Sequence, residues 1–192
     1  KVPRICFINK LDRLGASNNY SIKTIREKLG ANPLQMQLQI GFESEFTGVV
    51  DLLTMKAIYW KDELGSEPVV EEIPADLMDI AEFKRAELVE KVAELDDELL
   101  EKYLESQPIS IEELKKAIRK AVIQNKATPV FCGSSLKNKG VQPLLDAVID
   151  YLPSPMEVPA VKGTDPKSGE ELVRNTSLDE PLCALIFKIV TD

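Results

Sequence analysis

The stretch Ile5-Cys6-Phe7-Ile8-Asn9-Lys10-Leu11-Asp12 decides how this chain of 192 residues is read. Four apolar residues running straight into a polar turn predict a buried parallel strand whose C-terminal end lies at a ligand site. In doubly wound α/β sheets, ligands sit just beyond such ends. The side chains that follow suit a guanine base. A carboxylate at Asp12 can accept from the ring N–H and the exocyclic amine of guanine, whereas adenine presents neither donor in that arrangement. Leaving a buried acceptor unpaired costs about 1–3 kcal/mol, so such a pair would discriminate between bases. Asn9 can donate to N7, an exposed acceptor, and the Lys10 stem can lie over the base face. Taken alone, the four residues Asn9 to Asp12 are equally compatible with an ordinary surface turn after a strand.

The chain is 44% hydrophobic and 29% charged, enough to bury a sizeable core in one large domain or two small ones. No apolar run approaches the length of a membrane span, so no membrane association is expected. The sequence opens on Lys1-Val2-Pro3 with neither an initiator Met nor a signal peptide, as expected of a piece of a longer protein. Cys6, Cys132 and Cys183 are an odd number set in apolar runs, and are expected as buried free thiols of a reducing compartment. The sequence contains no histidine and no zinc-ligand spacing, which excludes His metal sites and His general bases. The net charge of −8 is unevenly spread: residues 62–113 hold 18 acids and 4 bases, the remainder 20 bases and 14 acids. Those acids are either solvated helix faces or a surface that docks a basic protein or turns away from a polyanion, the rest lying nearer it.

Outward from the opening strand, residues 17–29 carry Tyr20, Ile22, Ile25 and Leu29 at helical spacing, closed by Gly30. Residues 34–40 alternate Leu34, Met36, Leu38 and Ile40 against glutamines, which predicts one half-exposed antiparallel strand. Further strands are expected over 47–53 and 57–61, then an extended connection over 67–74. Residues 75–105 predict a long helix, or two broken near Asp96-Asp97, with Leu88, Val92, Leu95, Leu99 and Tyr103 on one stripe. Ser110-Ile111-Glu112-Glu113 is a capping box opening a helix to about residue 124. Residues 129–132 are a second short apolar strand, and 140–151 a helix with Leu144, Leu145, Val148 and Ile149 inward. The Pro- and Gly-bearing stretch 153–180 predicts a linker, and 181–191 a new strand of a further domain.

The second apolar strand ends in Gly133-Ser134-Ser135-Leu136, whose backbone N–H groups can meet guanine O6 and whose small side chains allow close approach. By itself this is compatible with an ordinary serine-rich turn. Beside the first motif on a like-built strand, it completes the base-recognition half of a GTPase. Asp12 and Ser134 stand 122 positions apart, so the strands, helices and acidic block between them are expected to be an insertion. A phosphate cradle needs G-x-x-x-x-G-K-[ST], and no Gly-Lys pair occurs in this sequence. The phosphate lysine, the Mg²⁺-holding hydroxyl and the switch segments are therefore missing from this segment, which alone is not expected to hydrolyse GTP.

Asn9-Lys10-Leu11-Asp12-Arg13, Asn32-Pro33, Gly48-Val49-Val50-Asp51-Leu52, Lys56-Ala57-Ile58-Tyr59-Trp60 and Ile73-Pro74-Ala75 resemble the elongation factor G family of translational GTPases. So do the run Gly133 to Gln142, Asp150-Tyr151-Leu152-Pro153-Ser154-Pro155 and Phe187-Lys188-Ile189-Val190-Thr191-Asp192. The resemblance covers nearly the whole chain. It implies an α/β fold: the C-terminal part of a GTPase parallel sheet with a large inserted α+β subdomain, followed by the start of a β-barrel domain. Residues 1–29 and 126–152 would belong to the GTPase domain, 30–125 to the insertion, 153–180 to the linker and 181–192 to the barrel. It further implies GTP and GDP as ligands, with Mg²⁺ held outside this segment. Asn9, Lys10, Leu11, Asp12, Ser134, Ser135 and Leu136 would form the guanine site, with Leu11 pointing away from the base. Ser135 stands where bacterial members usually carry alanine; a backbone contact tolerates the change. The implied partners are the ribosome, with its RNA and stalk proteins, and indirectly tRNA and mRNA. The protein would be a monomer in the bacterial cytoplasm, or in a mitochondrial matrix or plastid. A role in ribosome recycling rather than translocation, and a stalk-docking role for the acidic insertion, remain open alternatives at this stage.

Overall fold

Three parallel strands carry the two motif loops at their C-terminal ends. In the computed structural model, which describes residues 2–62, 64–184 and 186–189, β1 (Cys6–Ile8) and β2 (Pro33–Gln35) flank β7 (Thr128–Cys132). Cys6 lies opposite Val130 and Pro33 opposite Thr128. β7 is buried throughout, whereas β1 is half-buried, because one of its edges has no partner strand among the described residues. Two of the three cysteines differ from the burial expected of them. Cys132 is buried, Cys6 on the edge strand only partly so, and Cys183 is exposed in an irregular segment.

Between β1 and β2 runs α1 (Asn18–Leu29), capped by Ser17, whose hydroxyl accepts the Tyr20 N–H at 3.2 Å. Ile22 is buried, but Tyr20 and Leu29 face solvent, so the apolar stripe is narrower than its spacing suggests.

The strand expected over 34–40 is two strands in two sheets. After β2, the chain enters β3 (Gln37–Ile40), which with β4 (Gly48–Asp51), β5 (Lys56–Trp60) and β6 (Pro68–Glu71) forms an antiparallel sheet in that order. The switch falls at Met36, whose N–H still reaches the Val130 carbonyl at 3.1 Å. One residue on, the buried Gln37 side chain accepts the Cys132 N–H at 3.1 Å, satisfying a donor that the ladder no longer reaches. A glutamine that reads as surface is here a substitute for backbone pairing. β6 occupies the stretch expected as an extended connection, with Pro68 on an edge where a missing N–H is tolerated.

Helices α2 (Ala75–Ala93), α3 (Asp97–Leu104) and α4 (Ile111–Ile123) follow. Asp96 caps α3 by accepting the Leu99 N–H at 3.4 Å, so the long helical stretch is indeed broken there. Ser110 and Glu113 form the capping box of α4, with the two bonds at 3.0 and 3.3 Å. Leu34, Leu52, Leu88, Val92, Ile118 and Phe131 belong to one core. The long stretch between the motifs thus shares its interior with the parallel sheet, and Lys1–Leu152 is one compact unit.

α5 (Val141–Tyr151) buries Ala147 and Tyr151 and partly buries Leu144, but Leu145, Val148 and Ile149 are exposed. The helix meets the core on one side, and the inward placement expected for those three does not occur among the described residues. The second unit, Pro153–Asp192, holds a hairpin of β8 (Val161–Thr164) and β9 (Glu171–Arg174) inside the stretch expected as linker. Asp165 organises its turn by accepting the Lys167 and Ser168 N–H groups at 2.7 and 3.2 Å. Residues 181–184 and 186–189 form no strand; the rest of the strand expected over 181–191 lies outside the described residues. Among the described residues, no helix is long and apolar enough to cross a membrane.

Candidate guanine-recognition site

The chain leaves β1 through a tight turn in which Lys10 adopts a left-handed conformation, φ 65°. The Arg13 N–H closes this turn on the Lys10 carbonyl at 3.1 Å. The turn is laced to the second motif: Leu11 N–H donates to the Gly133 carbonyl at 3.1 Å, and Gly133 N–H to the Ile8 carbonyl at 3.0 Å. The Leu11 side chain is 1% exposed, in a small core with Phe46, Val49, Trp60 and Cys132. It anchors the turn from below, as a residue pointing away from a ligand would. Gly133 has no room for a side chain, since a Cβ there would lie 2.2 Å from the Lys139 carbonyl oxygen and 2.9 Å from Phe7 Cζ.

Asn9 ties the loops together directly. Its Oδ1 accepts from Lys10 N–H at 2.7 Å, Ser135 N–H at 2.9 Å and the Ser135 hydroxyl at 3.1 Å. All three donors converge on the oxygen, which leaves the amide NH₂ of this exposed residue without a partner among the described residues. A donor held in this way is what an acceptor such as N7 requires. The second loop is a small hairpin. Ser134 and Lys139 exchange backbone bonds of 2.9 and 3.0 Å, and Asn138 N–H reaches the Ser135 carbonyl at 3.1 Å. Of the four N–H groups expected to face O6, those of Gly133, Ser134 and Ser135 are therefore engaged internally. Leu136 N–H, at the exposed tip, is the one with no partner among the described residues.

The Asp12 carboxylate is sheltered, its side chain 6% exposed, with Arg13 Nε 3.9 Å away. Its pKa is held below the ordinary aspartate value. The buried Ser134 hydroxyl is the largest cause, and Lys137 and Arg13 add to it, while burial opposes it. That hydroxyl closes no hydrogen bond of ordinary length and angle with any described residue, so it favours the charge by proximity. Asp12 is thus an ionised acceptor with capacity to spare, on a turn bonded to the loop that carries the free Leu136 N–H, and the Asn9 NH₂ on the same turn is unengaged. Such a set matches a planar ligand edge that offers two donors and two acceptors. Among the described residues, no group of three or more His, Cys, Asp or Glu side chains is placed to hold a metal ion.

Sequence reasoning did not find the residues that support the second loop. Asn138 Nδ2 donates to the Gly65 carbonyl at 2.9 Å and the Leu64 carbonyl at 3.3 Å. Gln142 Nε2 donates to the Gly65 carbonyl at 2.8 Å, while its Oε1 accepts Trp60 Nε1–H at 3.0 Å. Lys139 Nζ donates to the Phe46 carbonyl at 3.1 Å. These partners lie 73 to 93 positions away in sequence, and only the turn character of Asn138-Lys139-Gly140 hints at them.

A parallel sheet with two laced loops at its C-terminal edge, one ending in Asn-Lys-x-Asp, defines a domain of the GTPase class. The chain belongs to the family of the elongation factor Tu GTP binding domain, whose pattern matches residues 1–154. It is 53% identical over 191 residues to elongation factor G of Thermotoga maritima, and equally to that of Thermotoga petrophila. Each of those alignments covers 100% of this chain and 28% of the relative, so the chain spans little more than a quarter of their length. A crystal structure of a Thermus thermophilus protein superposes with a TM-score of 0.71 at 29% identity, covering 89% of this chain and 26% of that one.

Proposed function

We propose that this chain is the base-reading part of a translational GTPase of the elongation factor G type. In the full-length protein it would help bind GTP and GDP, and GTP hydrolysis on the ribosome would drive movement of tRNA and mRNA. The observation that supports this reading is the pairing of Asn9 with Ser135, which ties the turn bearing the ionised Asp12 carboxylate to the loop bearing the Leu136 N–H. Asp12 accepts from the guanine N1–H and exocyclic amine. The Asn9 amide donates to N7, the Lys10 stem covers one face of the base, and Leu136 N–H donates to O6. Ser134 supports the charge on Asp12, and Leu11 anchors the turn from the core. Mg²⁺ would accompany the phosphates through residues outside this set.

The acidic surface favours a protein partner as well. α2 exposes Asp79 and Glu82 within the acid-rich stretch, a face suited to a basic protein such as a ribosomal stalk component. The bacterial relatives support a location in the bacterial cytoplasm, where the protein would act as a monomer.

Full-length protein mixed with purified ribosomes tests this. The expected result is GTP hydrolysis stimulated at least about tenfold by ribosomes, with a one-codon advance of mRNA. Lysine replacements at Asp79 and Glu82 should slow phosphate release while leaving GTP binding intact. Hydrolysis indifferent to ribosomes would contradict the reading, and an unchanged release rate would remove the stalk surface from it.

A further inference from the structure

The hairpin that carries Leu136 has no wide base of its own. Its near strand is laced to β1 through Gly133, but its far side, residues 137–142, rests on the antiparallel sheet. There Asn138 and Gln142 converge on one acceptor, the Gly65 carbonyl in the loop after β5, at 2.9 and 2.8 Å. Trp60, at the end of β5, fixes Gln142 in turn through its indole N–H at 3.0 Å. The approach is close: a Cβ on Gly65, whose φ is +58°, would lie 2.5 Å from the Lys137 carbonyl oxygen and 2.8 Å from that of Asn138. Asp62 holds the same loop in shape by accepting the Ser66 N–H and hydroxyl, both at 2.8 Å. Asn138 itself sits in the left-handed region, φ 52°, where its side chain folds back toward residues 64 and 65.

We propose that Asn138 and Gln142 are positioning residues for guanine recognition, with the Gly65 loop as their seat. They touch no ligand; they set where the Leu136 N–H stands relative to O6. A donor displaced by a few tenths of an ångström loses much of its bond, since hydrogen bonds weaken steeply with distance and angle. The latch therefore makes the antiparallel sheet a determinant of base affinity, although no residue of that sheet belongs to the base-reading set. The inference rests on the guanine-binding reading above.

The test uses the full-length protein and compares its affinity for GDP with that for 6-thioguanosine diphosphate. The analogue keeps both donors that Asp12 would accept and changes only the O6 acceptor. Asn138→Gly removes both side-chain bonds while tolerating the left-handed backbone. Gln142→Leu removes the bonds to Gly65 and Trp60 without touching that backbone, and so covers the case in which the first variant fails to fold. Each variant should lose about three- to tenfold in GDP affinity, with a smaller loss for the thio analogue, so that the preference of the wild type for oxygen shrinks. Equal losses for both ligands would mean a merely structural role and would overturn the proposal, as would no loss at all. A wild-type protein that binds no GDP, or binds both ligands alike, would instead overturn the base-reading assignment.

Discussion

Asp12, Asn9 and Gly133 illustrate three different degrees of legibility in single residues. The chemistry of Asp12 follows from its type and its place after an apolar strand, and the sheltered, ionised carboxylate is what base reading needs. Asn9 reads as a donor, but its second duty, collecting three donors on Oδ1, depends on a loop 126 positions away. Gly133 reads as a small residue suited to close approach, but nothing local shows that Lys139 and Phe7 fill the space beside it. Its backbone bonds both Ile8 and Leu11 of the first motif, and the space its side chain would take is filled by the Lys139 carbonyl and the Phe7 ring. Gly133→Ala would force the Lys139 carbonyl and the Phe7 ring apart. Overpacking of this kind costs about 1–3 kcal/mol, so urea unfolding of the variant should show a lowered midpoint at unchanged slope. GDP affinity of the full-length variant should fall with it, and an unchanged midpoint would mean the loops can part without penalty.

Among the elements, the helices with local punctuation match expectation, as do β4, β5 and β7, whereas several features set by tertiary partners do not. α1 and α4 start at serine caps written in the sequence, and α3 starts at Asp96. The split of residues 34–40 between two sheets was not legible, because alternation describes one face and says nothing of which neighbour pairs. The exposed stripe of α5 and the exposed Ile186, Phe187 and Ile189 share a cause: apolar patterning predicts burial but does not supply the surface to bury against. The α4 cap can be tested by itself. Ser110→Ala removes one side of the capping box and should destabilise the chain by about 1 kcal/mol. The same site predicts a pH dependence. Lys102 first, then the Ser110 backbone and hydroxyl, lower the pKa of Glu113 from 4.5 to about 2. A depressed carboxylate contributes stability that is fully present above 4.5 and lost as pH falls through about 2. Glu113→Gln should therefore flatten the thermal-melting profile between those limits, and a profile identical to that of the wild type would refute the assignment.

At the scale of the molecule, the two motif loops, the parallel sheet and the long stretch between the motifs form one unit with a shared interior. The chemistry of the motifs was open to sequence reasoning, since residue types and their order carry it. The dependence of one loop on an antiparallel sheet was not, because every bond of that latch joins distant positions. Domain class was legible from the two strand-to-loop elements, whereas the core linking them to the long stretch between emerges only in three dimensions. The central claim is that this unit reads guanine through Asp12. Competition between GTP and xanthosine triphosphate for the full-length protein tests it most directly. The wild type should select GTP. Asp12→Asn, which offers a donor where xanthine carries an oxygen, should shift the preference toward xanthosine triphosphate by about two orders of magnitude. Selectivity unchanged by that substitution would contradict the account.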